Sequence, residues 1–318
     1  LYDDAQASSL SATNASAMFT LKAVSRIQPP NNGQTASHLS ASSGDVFVGY
    51  KVKGSAFGGG IDILDKSNPT QLTNEDNALR STDLDVQEVV YEPAGGTNNL
   101  FVAGAVDFGN IEARDYGNTP AVLLRAGIQN NGNVSTVSGG NVEATEVAMP
   151  DQLTKSVTLA NGTDGGHDLY AVTDGDSFFE FDDELGSREE HIKSGGVEFS
   201  SVTSFDSGNH ALALGNNGNV YYVKTDGSNA GNFTMRQNFP DVQENGIARI
   251  TSHSHSGTIN EELAYVALNG VSSQPGGLAV LSKDGSEIRY RTSDEYYVSV
   301  TATDDRVFAA GPGGTIDV

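Results

Sequence analysis

One short pattern recurs along the chain and constrains its fold more than any other feature. A polar residue or two leads into an apolar-aromatic run, which ends in small residues. The pattern stands at Asp45-Val46-Phe47-Val48-Gly49, Asn99-Leu100-Phe101-Val102-Ala103-Gly104 and Asp168-Leu169-Tyr170-Ala171-Val172. It returns at His210-Ala211-Leu212-Ala213-Leu214-Gly215, Leu263-Ala264-Tyr265-Val266-Ala267 and Arg306-Val307-Phe308-Ala309-Ala310-Gly311. Six copies over the chain give units of roughly 53 residues, a spacing in the range of propeller blades.

Each run is followed by a small-residue turn and a second apolar run. Examples are Gly60-Ile61-Asp62-Ile63-Leu64-Asp65, Ala121-Val122-Leu123-Leu124-Arg125 and Ser177-Phe178-Phe179-Glu180-Phe181-Asp182. Gly218-Asn219-Val220-Tyr221-Tyr222-Val223, Gly277-Leu278-Ala279-Val280-Leu281 and Gly314-Thr315-Ile316-Asp317-Val318 complete the set. Short β-branched and aromatic runs bounded by Gly, Asn and Asp read as strands. A third strand precedes each aromatic run: His38–Ala41, Glu88–Tyr91, Ser156–Leu159, Phe199–Val202, Ile247–Ile250 and Tyr297–Thr301. A fourth, more variable strand follows each second run, as at Val142–Val147.

Asn-Gly and Asp-Gly pairs at 131–132, 174–175, 217–218, 226–227 and 284–285 suit tight hairpin turns, whose positive φ these residues tolerate. Each of these turns uses a glycine without calling for any ligand. No stretch shows a convincing helical period, so helix is expected to be sparse. The fold class is therefore all-β, a six-bladed β-propeller. The long interval between Phe101 and Tyr170 keeps seven blades as the alternative. Residues 1–17 form an irregular lead-in and 18–318 a single propeller domain. Met18–Val24 alternates like a strand and is expected to close the ring by joining the C-terminal blade.

The stretch Gly58-Gly59-Gly60-Ile61-Asp62-Ile63-Leu64-Asp65-Lys66-Ser67-Asn68-Pro69-Thr70 resembles an LVIVD repeat: a Gly-led apolar strand, then Asp, a small residue, Asn and Pro. Later copies replace that ending with Lys224-Thr225-Asp226-Gly227-Ser228 and Ser282-Lys283-Asp284-Gly285-Ser286, which also look like quinoprotein-like blades. The resemblance implies a bacterial or archaeal exported propeller and transfers no catalytic residue.

Charge narrows the function classes. Acidic residues number 41 against 18 basic ones, for a formal net charge of −23. That balance speaks against a nucleic-acid partner, whose phosphates call for Lys and Arg. The excess suits a halophile, because at about 1 M salt the Debye length falls to about 3 Å and screens self-repulsion. With no cysteine, thiolate zinc sites and disulfides are excluded. No apolar stretch approaches the roughly 18 residues of a membrane span, so no transmembrane segment is expected. The LVIVD resemblance implies a periplasmic, extracellular or cell-surface location, with any lipoprotein anchor outside this chain, and the protein is expected to be a monomer.

In a propeller the loops leading into the innermost strands line the functional face. Carboxylates there, Glu88, Glu198, Glu244 and Asp294, are the candidate metal ligands; oxygen-only ligands suit Ca²⁺ or Mg²⁺, and the cofactor expected is either none or Ca²⁺. Two readings follow. The first is an exported or cell-surface binding or scaffolding module for a protein, small-molecule or carbohydrate ligand. The second is a Ca²⁺-dependent hydrolase of the lactonase or gluconolactonase type, built on those carboxylates. The first is preferred over an enzyme, since no catalytic motif is identifiable. His253-Ser254-His255 places two rings on one face of a strand but has no third ligand assigned, and reads as a solvated turn. Gly58-Gly59-Gly60 precedes a strand and so is no phosphate loop.

Overall fold

The structure, a computed structural model, describes residues 29, 32–42, 45–52, 57–65, 73–80, 84–94, 97–107, 119–128, 144–161, 167–182, 184–186, 188–192, 196–216, 219–225, 233–238, 247–254, 262–268, 276–282, 287–293, 297, 299–303, 306–311 and 316–317. Among these residues there is no helix.

The first sheet comprises β1 (Gln34–Ala41), β2 (Asp45–Val52), β3 (Gly60–Asp65) and β4 (Thr73–Arg80). The second holds β5 (Leu84–Ala94), β6 (Thr97–Val106), β7 (Ala121–Ile128) and β8 (Ala144–Ala148). The third contains β9 (Thr154–Asn161), β10 (His167–Thr173), β11 (Ser177–Asp182) and β12 (Arg188–Ile192). β13 (Phe199–Phe205), β14 (His210–Gly215), β15 (Asn219–Lys224) and β16 (Phe233–Asn238) make the fourth. The fifth is β17 (Ile247–Ser254), β18 (Glu262–Leu268), β19 (Gly276–Leu281) and β20 (Glu287–Ser293). The last is β21 (Ser299–Ala302), β22 (Val307–Ala310) and β23 (Ile316–Asp317). Within each sheet, strands consecutive in sequence pair antiparallel.

This is a β-propeller of five complete four-stranded blades followed by a three-stranded sheet. The expectation of a six-bladed propeller is corrected accordingly, because among the described residues the last sheet pairs only β21, β22 and β23. No seventh sheet occurs among the described residues. The long interval after Phe101 is taken up by β7 and β8, which complete the second blade. Met18–Val24, the expected closing strand, lies outside the described residues, as does the lead-in 1–17.

The aromatic runs are the second strands, and their composition follows from their place. Each lies inside a blade that is covered on both faces by neighbouring blades, so both sets of alternating side chains must be apolar. On β10, Leu169 and Ala171 join the core toward the second blade, while Tyr170 and Val172 join the core toward the fourth. On β14, Ala211 and Ala213 face the third blade, and Leu212 and Leu214 face the fifth. The same division holds on β18, where Tyr265 packs toward the last sheet and Val266 toward the fourth blade. Between the first and second blades the Phe47 and Tyr91 rings stack with centroids 5.1 Å apart. Phe308 of β22 packs into the core of the first blade with Leu39, Val48 and Tyr50, so the last sheet lies against the first.

Two local features depend on particular backbone shapes. Asp206 and Ser207 both have positive φ, 55° and 57°, and the Gly208 N–H donates to the Phe205 carbonyl. This is a type I′ turn joining β13 to β14 with neither central position a glycine. Gly104 on β6 lies so close to β5 that a Cβ there would collide with the Asp85 carbonyl oxygen. Its neighbour across the ladder is Val86, beside a bulge that matters for the site.

Candidate functional site: the girdle of the inner strands

The first strand of each sheet faces the propeller axis and is an edge strand, with backbone groups that no further strand of its own sheet can pair. Each of the five complete blades has one extra residue at the start of that strand. The pairing register slips from Ala36 to His38, Val86 to Glu88, Phe199 to Ser201 and Ile247 to Arg249. On β9, Thr154 pairs with Thr173 and Ser156 with Val172, so Lys155 is the extra residue. The bulged residues are thus Ser37, Gln87, Lys155, Ser200 and Ala248.

The residue after each bulge, and Ser299 at the start of β21, reach toward a neighbouring inner strand. Ser156 Oγ accepts the Val202 N–H at 2.9 Å, Ser201 Oγ accepts the Ile250 N–H at 3.2 Å, and Ser299 Oγ accepts the Leu39 N–H at 3.1 Å. Glu88 Oε2 does the same for the Val157 N–H at 3.1 Å, and His38 Nδ1 for the Val89 N–H at 3.3 Å. A second tier repeats the device two residues on. There Ser40, Thr158 and Thr203 hydroxyls accept the N–H groups of Tyr91, Ser204 and Ser252.

Arg249 occupies the remaining position and has no acceptor to offer. Its Nη1 donates to the Ser200 carbonyl at 2.8 Å and its Nη2 to the Gln87 carbonyl at 2.9 Å, linking the fifth blade to the second. Glu88 Oε2 lies 3.9 Å from Arg249 Nη1, and Glu88 Oε1 lies 2.9 Å from His38 Nε2. All three side chains are buried. Burial lowers the pKa of Arg249, and the Glu88 charge opposes that shift. The Nδ1 atom of His38 is also 3.0 Å from the Val89 carbonyl oxygen. Nδ1 accepts the Val89 N–H in the tautomer whose proton is on Nε2, and donates to the Val89 carbonyl when the proton is on Nδ1.

Two lysines flank this cluster. Lys51 Nζ donates to Gln87 Oε1 at 2.8 Å. Burial, then the Arg249 charge, lower its pKa to about 8, with Asp85 opposing. Asp85 Oδ1 accepts the Val52 N–H at 3.1 Å, and burial raises its pKa. Lys155 is likewise lowered, first by burial, while Glu198 and Asp174 act to raise it.

Of the four expected metal ligands, Glu88 stands at the centre of this cluster. Glu198 is exposed just before β13, where it accepts from Asn216 Nδ2 at 3.1 Å. Glu244 and Asp294 lie outside the described residues. His253 is half-buried on β17, and His255 lies outside the described residues. His38, Lys51, Lys155 and Arg249 were not anticipated as site residues. A signal for two of them exists: Ser-Val-Thr recurs at 156–158, 201–203 and 299–301. The aligned strings His38-Leu39-Ser40, Glu88-Val89-Val90 and Arg249-Ile250-Thr251 depart at the first position, and those three departures meet in space.

No protein-family model matches the sequence, and no curated protein does either. Among solved structures, the chain is similar to a protein of unknown function from Bacteroides caccae, at 14% identity and a TM-score of 0.54, covering 83% of this chain and 84% of that one. It is also similar to Raptor from Chaetomium thermophilum, at 14% identity and a TM-score of 0.50, covering 93% of this chain. The chain spans 29% of the Raptor chain. These likenesses show the propeller fold alone.

Two outcomes are expected from the girdle. Ser201→Ala strands the buried Ile250 N–H and costs about 1–3 kcal/mol, whereas Arg249→Met leaves Glu88 short of a cation and costs about 3–5 kcal/mol. Urea unfolding of both variants checks the order, and equal, negligible losses would show the girdle to be incidental. The second outcome concerns pH. Because the folded-state pKa of Lys51 is below its ordinary value of 10.5, the unfolded chain binds more protons between about pH 8 and 10.5. The destabilisation from Lys51 is complete below about pH 8 and fades as pH rises to 10.5. Lys51→Met therefore gains most over wild type near neutral pH, and a gain independent of pH in chemical denaturation would refute this.

Proposed function

We propose that the protein is a non-enzymatic binding or scaffolding propeller of the exported or cell-surface kind. Its recognition surface is the face on which the inner strands begin, around Lys51, Lys155 and Glu198. The observation that carries this reading is the state of Glu88. One carboxylate oxygen receives the Val157 N–H and the other faces His38, with Arg249 beside them. A cation bound there would have to displace the imidazole and sit near a guanidinium. The hydrolase reading needs that carboxylate as a metal ligand, so the same geometry weighs against it.

Calorimetric titration with Ca²⁺ separates the two. The binding reading expects wild type and Glu88→Gln to give the same heats, since the amide oxygen of the variant can still accept the Val157 N–H. A saturable Ca²⁺ site lost in Glu88→Gln would favour the hydrolase.

The finer expectations belong to the same proposal. LVIVD-like ancestry rests on the Gly58–Thr70 string, quinoprotein-like ancestry on the strings at 224–228 and 282–286, and a halophilic setting on the −23 charge. Residues 18–24 are proposed to supply a fourth strand to the last sheet, which has three among the described residues. Thermal melts of the full chain and of one lacking residues 1–24 test these points together. Stability should climb between about 0.1 and 3 M KCl as the Debye length shrinks, and the truncated chain should melt lower. A flat salt response would remove the halophile reading, and an unchanged melting temperature the strand.

A further inference from the structure

We propose that Glu180, Glu189 and His191 form a binding site for a divalent first-row transition metal, of the Zn²⁺ class, on the outer half of the third blade. This inference is independent of the axial site and of the binding reading built on it.

The β11–β12 register sets the three side chains on one face. Glu180 pairs directly with Glu189, and Phe178 pairs with His191. Residues two apart on a strand share a face, so His191 lies diagonally across from Glu180 and beside Glu189. One ligand atom from each of the three lies within 4.8 Å of the others. His191 Nε2 is 2.8 Å from Glu180 Oε2, and the imidazole packs against the Phe178 ring with centroids 6.3 Å apart. Two members are therefore held in place, while the exposed Glu189 can swing to close the set.

Two features mark the place as one that takes a cation. Like charges directly opposite one another across a strand pair are destabilising, and Glu180 and Glu189 are such a pair. Glu180 accepts a hydrogen bond from His191, which raises the His191 pKa and lowers that of Glu180 against the effect of burial. The donor set is one imidazole nitrogen and two carboxylate oxygens, leaving a position for water. That mixture suits Zn²⁺, Co²⁺ or Ni²⁺, whereas the oxygen-only preference of Ca²⁺ makes it the poorer occupant. The neighbouring Glu190 is not part of the set, because its Oε1 is hydrogen-bonded by the Ser177 hydroxyl.

The test is titration of the whole chain with Zn²⁺ by calorimetry, and with Co²⁺ followed by its visible absorption. One saturable site is expected. Binding should release a proton in buffers where His191 is protonated, so the heat should vary with buffer ionisation enthalpy. His191→Gln should weaken binding by about tenfold or more, as expected for loss of the imidazole ligand. Glu189→Gln, an exposed change that should leave the fold intact, should weaken it by a smaller factor. His253→Gln should leave it unchanged. Absence of saturable binding would overturn the proposal, as would affinity unaltered in both His191→Gln and Glu189→Gln, or affinity lost in His253→Gln alone.

Discussion

The structure depends on how the inner strands satisfy their backbone. A propeller blade leaves its first strand as an edge facing the axis, and buried N–H groups without partners are costly. This chain meets the requirement between blades. In the first four blades the bulge turns one polar side chain toward the next inner strand, where it accepts an N–H, and Ser299 of the last sheet does the same. A hydroxyl is enough for the purpose, and Ser does it at 156, 201 and 299. The blades are thus held at the axis by short polar contacts and farther out by apolar cores in which each second strand serves two neighbours.

That division explains what could be read from the residues alone. The second strands announce themselves, because burial on both faces demands an unbroken apolar run. Asp168–Val172 and His210–Gly215 therefore lie in strands at the expected places, as does the Gly-led run at 60–65. Outer strands were legible only as a class, since β4 and β12 are polar and their composition resembles that of loops. Blade number was the weak inference. The last sheet repeats the aromatic run at Phe308, so counting such runs cannot show how many strands accompany it.

The site was less legible, for a definite physical reason. Glu88 was singled out as a carboxylate near the axis, and it is there, but a list of acidic residues does not reveal which basic residue answers each one. Arg249 lies 161 positions away, and only the common register of the bulges puts the two at one level. Placing Ser156, Ser201 and Ser299 in line would have exposed Glu88, His38 and Arg249 as departures from one repeated position. The signal lay in the first strand of each unit, whereas the aromatic run in the second strand sets the eye on packing.

Those departures are best understood together. An isolated buried charge is expensive, and a single acid or base in place of a girdle serine would lack a counter-charge. Glu88 still performs the serine's task at the Val157 N–H, and His38 performs it at the Val89 N–H. Arg249 cannot, so it spends its donors on the carbonyls of Ser200 and Gln87, which reach it from two different blades. Three substitutions that would each be unfavourable alone become mutually supportive once Glu88 lies between an imidazole and a guanidinium. The cluster then fastens the second blade to the first, third and fifth.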